Sequence, residues 1–279
     1  MPLVSGIEVV NECVSRGLVA GAFNTTNIET TMGIVDAIEK VGVPTFIQVA
    51  PTNVALSGYE YIYDMVARRL ATTKVPVALH LDHGKSLDAV EKALAADFTS
   101  IMIDDSEASF ADNVATSTKA REMCGPDIAL EAELGSIGGK EDDVAPERAS
   151  MTDPNEAKAF VDAVRNDILA VSVGNVHGYA PNAHIDFDLL DEVRHASPVP
   201  LCIHGGSGLP AEEFGRLHEF GVVKVNIASD LRNAMIRSFG EAYNANNNEN
   251  SLIRVSKGAV VAISEVVERR IRQFNPSVA

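Results

Sequence analysis

The 279-residue sequence holds no run of about 18 apolar residues, so no segment of it is expected to span a membrane. Its start, Met1-Pro2-Leu3-Val4-Ser5-Gly6, lacks a basic stretch followed by an apolar one, so a signal peptide is not expected. Cysteine is sparse: Cys13, Cys124 and Cys202 are an odd, widely spaced trio without a CxxC. That pattern fits a reduced cytoplasmic protein with buried thiols. Positive charge is short, with 23 Lys and Arg against 39 Asp and Glu and a formal net charge of -16. Such a balance argues against a nucleic-acid or anionic-membrane surface. It leaves room for a phosphorylated substrate, because a metal and helix N-termini build local anion sites on acidic proteins. No repeat, low-complexity tract or linker divides the chain. What the sequence has in quantity is apolar residues, 46% of the total, enough for a large core. The length suits two average domains or one α/β barrel, typically about 250 residues.

The stretch that organises the rest is His80-Leu81-Asp82-His83-Gly84, at the end of the apolar run Val75-Pro76-Val77-Ala78-Leu79. The run reads as a buried parallel strand that delivers a carboxylate and an imidazole at its C-terminal end. Seven further runs recur: Val19–Phe23, Pro44–Val49, Thr99–Ile103, Ile128–Glu133, Ile168–Val173, Val199–Ile203 and Val222–Asn226. Helical stretches lie between most of them. Ile28, Met32, Val35 and Ile38 keep near-helical spacing, Ser86 caps an acidic first turn, and Asp153-Pro154-Asn155-Glu156 opens another helix. Leu209-Pro210-Ala211-Glu212-Glu213 repeats that opening, and the Asn-rich Asn244–Asn250 reads as a surface loop. Eight alternating units predict a single-domain (β/α)8 TIM barrel over residues 1–279, with a doubly wound sheet as the runner-up. The glycine-rich, acidic Gly135–Asp143 breaks the alternation and predicts a mobile loop beside the site.

In a barrel all strand ends meet at one mouth, so residues far apart in sequence become neighbours. Those ends carry Asn24, Asp82, His83, Asp104, Glu133, His177, His204 and Asn226. His83, His177 and His204 each follow a strand and precede a glycine. Three neutral imidazoles with an open position make a catalytic zinc arrangement. His80 shares a strand face with Asp82 and reads as a neighbour of the site or as core, while His184, His195 and His218 read as surface. Gly205-Gly206-Ser207-Gly208 and Asn226-Ile227-Ala228-Ser229-Asp230 are two strand-to-helix turns of the kind that bind phosphate.

These residues resemble the class II, metal-dependent ketose-bisphosphate aldolases of the fructose- and tagatose-bisphosphate type. The matching motifs are Ala22-Phe23-Asn24, His80-Leu81-Asp82-His83-Gly84, Met102-Ile103-Asp104, Glu131-Ala132-Glu133-Leu134-Gly135, Gly138-Gly139 with Glu141-Asp142-Asp143, Val176-His177-Gly178, His204-Gly205-Gly206-Ser207-Gly208 and Lys224-Val225-Asn226, in family order over about residues 3 to 275. The resemblance implies a lyase that reversibly cleaves a ketose (bis)phosphate to dihydroxyacetone phosphate and an aldehyde, in glycolysis and related carbohydrate metabolism. It implies Zn2+ on His83, His177 and His204, with Asp104 and Glu133 behind them or at an alternative metal position. It implies Asp82 as the acid/base group at the C4 hydroxyl and Glu141 as the proton carrier at C3. Substrate and phosphate are expected at Asn24, Gly178, Gly205, Ser207, Asn226, Ala228 and Ser229, with a monovalent cation (Na+ or K+) near the phosphate. A cytoplasmic homo-oligomer, dimer or tetramer, is expected.

Several positions depart from the family pattern. Ala50 stands where a hydroxyl residue is usual near the substrate carbonyl. Asp105 replaces a small or apolar residue, and Lys140 replaces an acid. The segment Gly178–His184 is one residue short and lacks the common lysine, with Arg254 and Lys257 as loose candidates for a second phosphate contact. These changes put specificity at the aldehyde end in question. Two other readings are a metal-dependent hydrolase on the same barrel, which usually carries a His-x-His absent here, and a non-catalytic sugar-phosphate-binding barrel. A Schiff-base mechanism through Lys224, the one lysine placed inside the barrel, is the least favoured.

Overall fold

The structure is a computed structural model that describes residues 3–139 and 149–278. All eight predicted strands form: β1 (Ala20–Asn24), β2 (Thr45–Val49), β3 (Val77–Gly84), β4 (Ser100–Ile103), β5 (Ala129–Leu134), β7 (Ile168–Val171), β9 (Leu201–Ile203) and β10 (Val222–Ile227). They close into one parallel barrel in the order β1-β10-β9-β7-β5-β4-β3-β2. Closure is made by the pairing of β10 with β1, Ala20 opposite Lys224 through Phe23 opposite Ile227, which excludes the doubly wound alternative. A separate two-residue pair lies outside the barrel: β6 (Gly138–Gly139) beside β8 (Val176–His177). His177 therefore stands beyond the barrel strand β7, on its own short ladder.

The helices form where their caps and periodicity require. Asn27 caps Ile28–Val41 through a reciprocal capping box with Thr30. Ser86 caps Leu87–Ala95, and Asp153 caps Pro154–Val164 with proline at its start. The opening at Leu209–Glu213 yields only one turn, Ala211–Phe214, with Pro210 ahead of it and no side-chain cap. At the Asn-rich stretch, the helix Ser229–Ala245 runs two residues into the expected loop before stopping. The helix Leu252–Phe274 packs on Ile28–Val41 and buries Ile263, Val267 and Ile271.

The core divides at the strand walls. Outward-facing residues such as Ile47, Leu79, Leu81, Ile101, Leu130, Leu169 and Val225 pack under the helices. Inside the barrel, His80, Ser100, Glu131, Cys202 and Lys224 are buried in a layer of polar groups. Cys13, Cys124 and Cys202 are free and buried as expected. Burial pushes the Cys13 thiol up to about 12 and the Cys124 thiol to about 11, so both stay protonated and inert.

Candidate active site

Adjacent residues of a strand point to opposite faces, so Asp82 and His83 would not both reach the mouth of a regular strand. At this point β3 is irregular. Its pairing with β4 shifts between Leu81 and Gly84, and His83 takes a left-handed backbone with φ of 47°. A bulge of this kind re-aims a side chain. Glycine must follow, because a Cβ at residue 84 would lie 2.5 Å from the Met102 carbonyl oxygen.

The structure brings His83, His177 and His204 together. The ring of His83 lies 4.6 Å from that of His204 and 5.0 Å from that of His177. One nitrogen from each of the three falls within 4.8 Å of the others, a spacing that can hold a metal ion. The outward nitrogens explain the orientation. His83 Nδ1 meets Asp104 Oδ2 at 2.6 Å, and His204 Nε2 meets Glu131 Oε1 at 2.7 Å. An ionised carboxylate only accepts, so each outward nitrogen carries its ring's proton. The inward nitrogens, His83 Nε2 and His204 Nδ1, then face one another at 2.8 Å with lone pairs. A proton between them would need an imidazolium in a site where burial lowers the His204 pKa. Asn226 Nδ2 lies 3.1 Å from His204 Nδ1, and a cation between the two rings would replace the close contact of two acceptors, so the donor set fits a metal held by carboxylate-oriented histidines.

Asp82 is fully buried at the edge of this group. Its Oδ2 accepts from Asn24 Nδ2 at 3.0 Å and Gln48 Nε2 at 2.9 Å, and its Oδ1 accepts from Asn226 Nδ2 at 3.0 Å. Lys224 fixes the direction of that last bond. Its Nζ can only donate and sits 2.7 Å from Asn226 Oδ1, so the amide must turn its NH2 toward Asp82. Lys224 also lies 2.9 Å from Glu131 Oε2. Burial pushes the Glu131 carboxyl up, but Lys224 and the His204 hydrogen bond outweigh it and hold it well below the usual carboxylate range. His80, the neighbour of the site foreseen from the sequence, bonds Ser100 Oγ at 2.7 Å and lies 3.7 Å from Glu131 Oε2.

Behind His83 the acids divide. Burial, then the Asp104 charge, raises Glu133 to about 8, whereas burial of Asp104 is overcome by His83 and Lys85, which hold it low. Glu133 Oε1 accepts from the Ile137 N–H at 3.2 Å and from Ser106 Oγ at 3.0 Å. His83, Asp104 and Glu133 form a second donor group, and Glu131, Cys202 and His204 a third.

The other wall is made of turns. His177, Gly178, Gly205, Ser207, Asn226, Ala228 and Ser229 line one cavity. Gly178 and Gly205 have φ of 77° and 69°, and a Cβ at residue 205 would strike the Val176 carbonyl, so only glycine fits there.

Some expected site residues lie apart from the turn cavity. Asn24, grouped with the substrate contacts, is turned to Asp82 and does not line the turn cavity. The expected mobile loop is pinned over its first part: Ser136 is buried and its N–H bonds Ser150 Oγ at 3.0 Å, while Gly138 and Gly139 pair with Val176 and His177. Glu141 and the rest of that stretch lie outside the described residues. Arg254 is exposed and pairs with Glu249 at 2.5 Å. Sequence reasoning missed Gln48, Glu131, Ser106 and Lys85 as site residues and gave Lys224 no part beyond the least favoured Schiff base. Gln48 and Glu131 had a signal, since each is a large polar residue inside a fully buried strand.

Known proteins share this architecture and sequence. A family model described as fructose-bisphosphate aldolase class-II matches residues 4–277. A Bacillus subtilis (strain 168) protein named "Probable fructose-bisphosphate aldolase" is 34% identical over 282 residues, covering 99% of each chain. A Staphylococcus aureus fructose-bisphosphate aldolase is 33% identical with the same coverage. The crystal structure of the YdjI aldolase from Escherichia coli K12 superposes with a TM-score of 0.86 at 28% identity, over 98% of this chain and 97% of that one. The chain belongs to the class-II fructose-bisphosphate aldolase family, a family of metal-dependent lyases.

Proposed function

We propose that the protein cleaves a ketose 1,6-bisphosphate reversibly into dihydroxyacetone phosphate and an aldehyde, with zinc on His83, His177 and His204. The observation that carries this reading is the facing pair of imidazole lone pairs 2.8 Å apart beside a buried carboxylate. Zinc supplies a Lewis acid for the negative charge that develops on the ketone half. Asp82, held by three amide N–H groups, takes the C4 hydroxyl proton in cleavage and returns it in condensation. Glu141 moves the proton at C3. The phosphate of the ketone half sits against Gly178, Gly205, Ser207 and the Asn226–Ser229 turn, with a monovalent cation nearby. Asp104 and Glu131 set the outward protons of His83 and His204, and Asp104 with Glu133 offers an alternative metal position.

Ala50 and the missing lysine after His177-Gly178 support a preference other than fructose 1,6-bisphosphate, with tagatose 1,6-bisphosphate the first alternative. Losing one charge-assisted phosphate contact costs on the order of 1.5–3 kcal/mol, or roughly 10–100-fold in binding. We place the enzyme in the cytoplasm as a homo-oligomer. The exposed Ile236, Tyr243, Leu252, Ile253 and Val261 on the two C-terminal helices support a second copy as their cover.

Triose-phosphate release across a panel of ketose phosphates, before and after chelation, tests the reading. Cleavage that chelation abolishes and zinc restores is the expected result. Activity surviving in metal-free protein, or a dominant kcat/KM for fructose 1,6-bisphosphate, refutes the metal or the substrate assignment respectively.

A further inference from the structure

Three turns from distant parts of the chain meet on one carboxylate. Asp230, in the first turn of the helix Ser229–Ala245, accepts at Oδ1 from the Tyr179 hydroxyl at 2.6 Å. Its Oδ2 accepts from Arg270 Nε at 2.7 Å and lies 2.7 Å from the second guanidinium nitrogen. That same nitrogen donates to the Ser207 carbonyl at 3.2 Å, and the Asp230 backbone N–H donates to Ser207 Oγ at 3.2 Å. Ser207 is thus held at its carbonyl and at its hydroxyl oxygen. Tyr179 follows Gly178, Ser207 lies in the Gly205–Gly208 turn, and Asp230 follows Ser229, so the unit joins the three segments that line the turn cavity.

A carboxylate beside an anion site repels the anion unless its charge is cancelled. Arg270, only 9% exposed at the end of the long C-terminal helix, cancels it. Burying an ion pair is costly, and apolar groups of the same volume would pack at least as well. A packing role alone therefore gives no reason for this pair. Its geometry does one specific thing. The Ser207 hydroxyl oxygen accepts from a main-chain N–H, so its single O–H can donate to another group, and Ser207 lines the turn cavity.

We propose that Asp230, Arg270 and Tyr179 form a positioning unit that holds the three turns in register for a phosphate monoester and makes the phosphate the anchor of the ketone half. The proposal rests on the phosphate placement above. Its hydrogen bonds described above run among the three side chains and to Ser207, so its effect is expected on the phosphate.

The test compares aldol condensation with one aldehyde using dihydroxyacetone phosphate or dihydroxyacetone, which lacks the phosphate. In Arg270→Met the uncovered Asp230 charge should raise KM for dihydroxyacetone phosphate roughly 10–100-fold. The loss with dihydroxyacetone should be several times smaller. Adding Asp230→Asn should recover part of the lost affinity. Tyr179→Phe should raise the same KM about 2–10-fold. That side chain is 57% exposed, so this variant carries the test should Arg270→Met fail to fold. Calorimetric titration with inorganic phosphate reads the cradle without turnover and should weaken in the same order. Equal losses on both donors, or unchanged phosphate binding in the variants, overturn the proposal. A wild-type enzyme indifferent to the phosphate would take down the placement of the phosphate as well.

Discussion

The two halves of the site are built from different material. The β1–β5 half is made of side chains: Asn24, Gln48, Asp82, His83, Asp104 and Glu133 come from successive strands and neighbouring loop starts, and all six are nearly or fully buried. Their hydrogen bonds run mostly side chain to side chain. Beyond the side chains of His177, His204 and Asn226, the β7–β10 half is made mostly of main chain: Gly178, Gly205 and the start of the helix Ser229–Ala245 present backbone, with positive φ at both glycines. A half that moves protons needs titratable groups, whose states depend on their neighbours, while the proposed metal spans both halves, on His83 from the first and His177 and His204 from the second. A half that recognises an anion needs N–H dipoles, which carry no charge to regulate. The division predicts that damage to the first half appears in turnover and damage to the turns of the second in substrate affinity.

The largest break should come from Asp82→Ala. It removes the carboxylate on which the Asn24, Gln48 and Asn226 amides converge, without touching a proposed ligand. Turnover should fall about 10²–10⁴-fold. Metal content, measured by elemental analysis, should stay at the wild-type level. Near-normal kcat in the folded, loaded variant would remove Asp82 from the chemistry and blur the contrast between the halves.

Lys224 sits where the halves meet, and Lys224→Met should affect stability as well as rate. Removing one partner of a buried ion pair costs about 3–5 kcal/mol, because Glu131 is left charged and uncovered. The sign follows from the direction of the Glu131 shift. Its carboxyl is held below its usual 4.5 in the folded protein. The pair's contribution is therefore complete above that value and fades as pH falls through the lower folded one. In the variant the Glu131 carboxyl rises, so the deficit should be greatest near pH 7 and shrink toward pH 5. Urea midpoints of both proteins at the two pH values measure this. A deficit independent of pH would mean that Lys224 acts by packing alone. Asn226, no longer held by a donor at Oδ1, should also lose its fixed orientation toward Asp82 and lower kcat.

How much of this could be read from the sequence follows the same division. The eight strands, the three histidines and Asp82 were legible because a polar residue at the end of a buried apolar run has no bland explanation once it recurs around a barrel. The bulge at His83 was not legible. Alternation alone would have sent Asp82 and His83 to opposite faces, and only the shifted pairing with β4 reunites them. Lys224 was correctly placed inside the barrel, yet its partners on β5 and its own strand depend on barrel register, which sequence spacing does not supply. Arg270 was invisible for a different reason. Arg269 and Arg270 look alike in a helix with many charges, and only packing against Phe214 and Asp230 singles out the second. The glycine turns were found, but the Val176-His177 ladder with Gly138-Gly139 was not, since a two-residue strand leaves no period to detect.

The smallest effect should come from Ser207→Ala, and it sharpens the contrast most directly. The Asp230 N–H holds the Ser207 hydroxyl oxygen and Arg270 holds its carbonyl, so the change removes a single hydroxyl donor from a cradle built mostly of main chain. It also leaves the Asp230 N–H without its acceptor, which adds a small local cost. One hydrogen bond to an anion is worth about 1.5–3 kcal/mol when fully made, but the remaining N–H groups can share the phosphate. The expected rise in KM for dihydroxyacetone phosphate is therefore at the low end, roughly 3–10-fold. Turnover at saturation should change less than twofold, because no proton-transfer or proposed metal-binding group is altered. Steady-state kinetics in the condensation direction separate the two parameters. A fall in kcat with KM unchanged would place Ser207 with the proton-moving half and erase the distinction between a wall of side chains and a wall of turns.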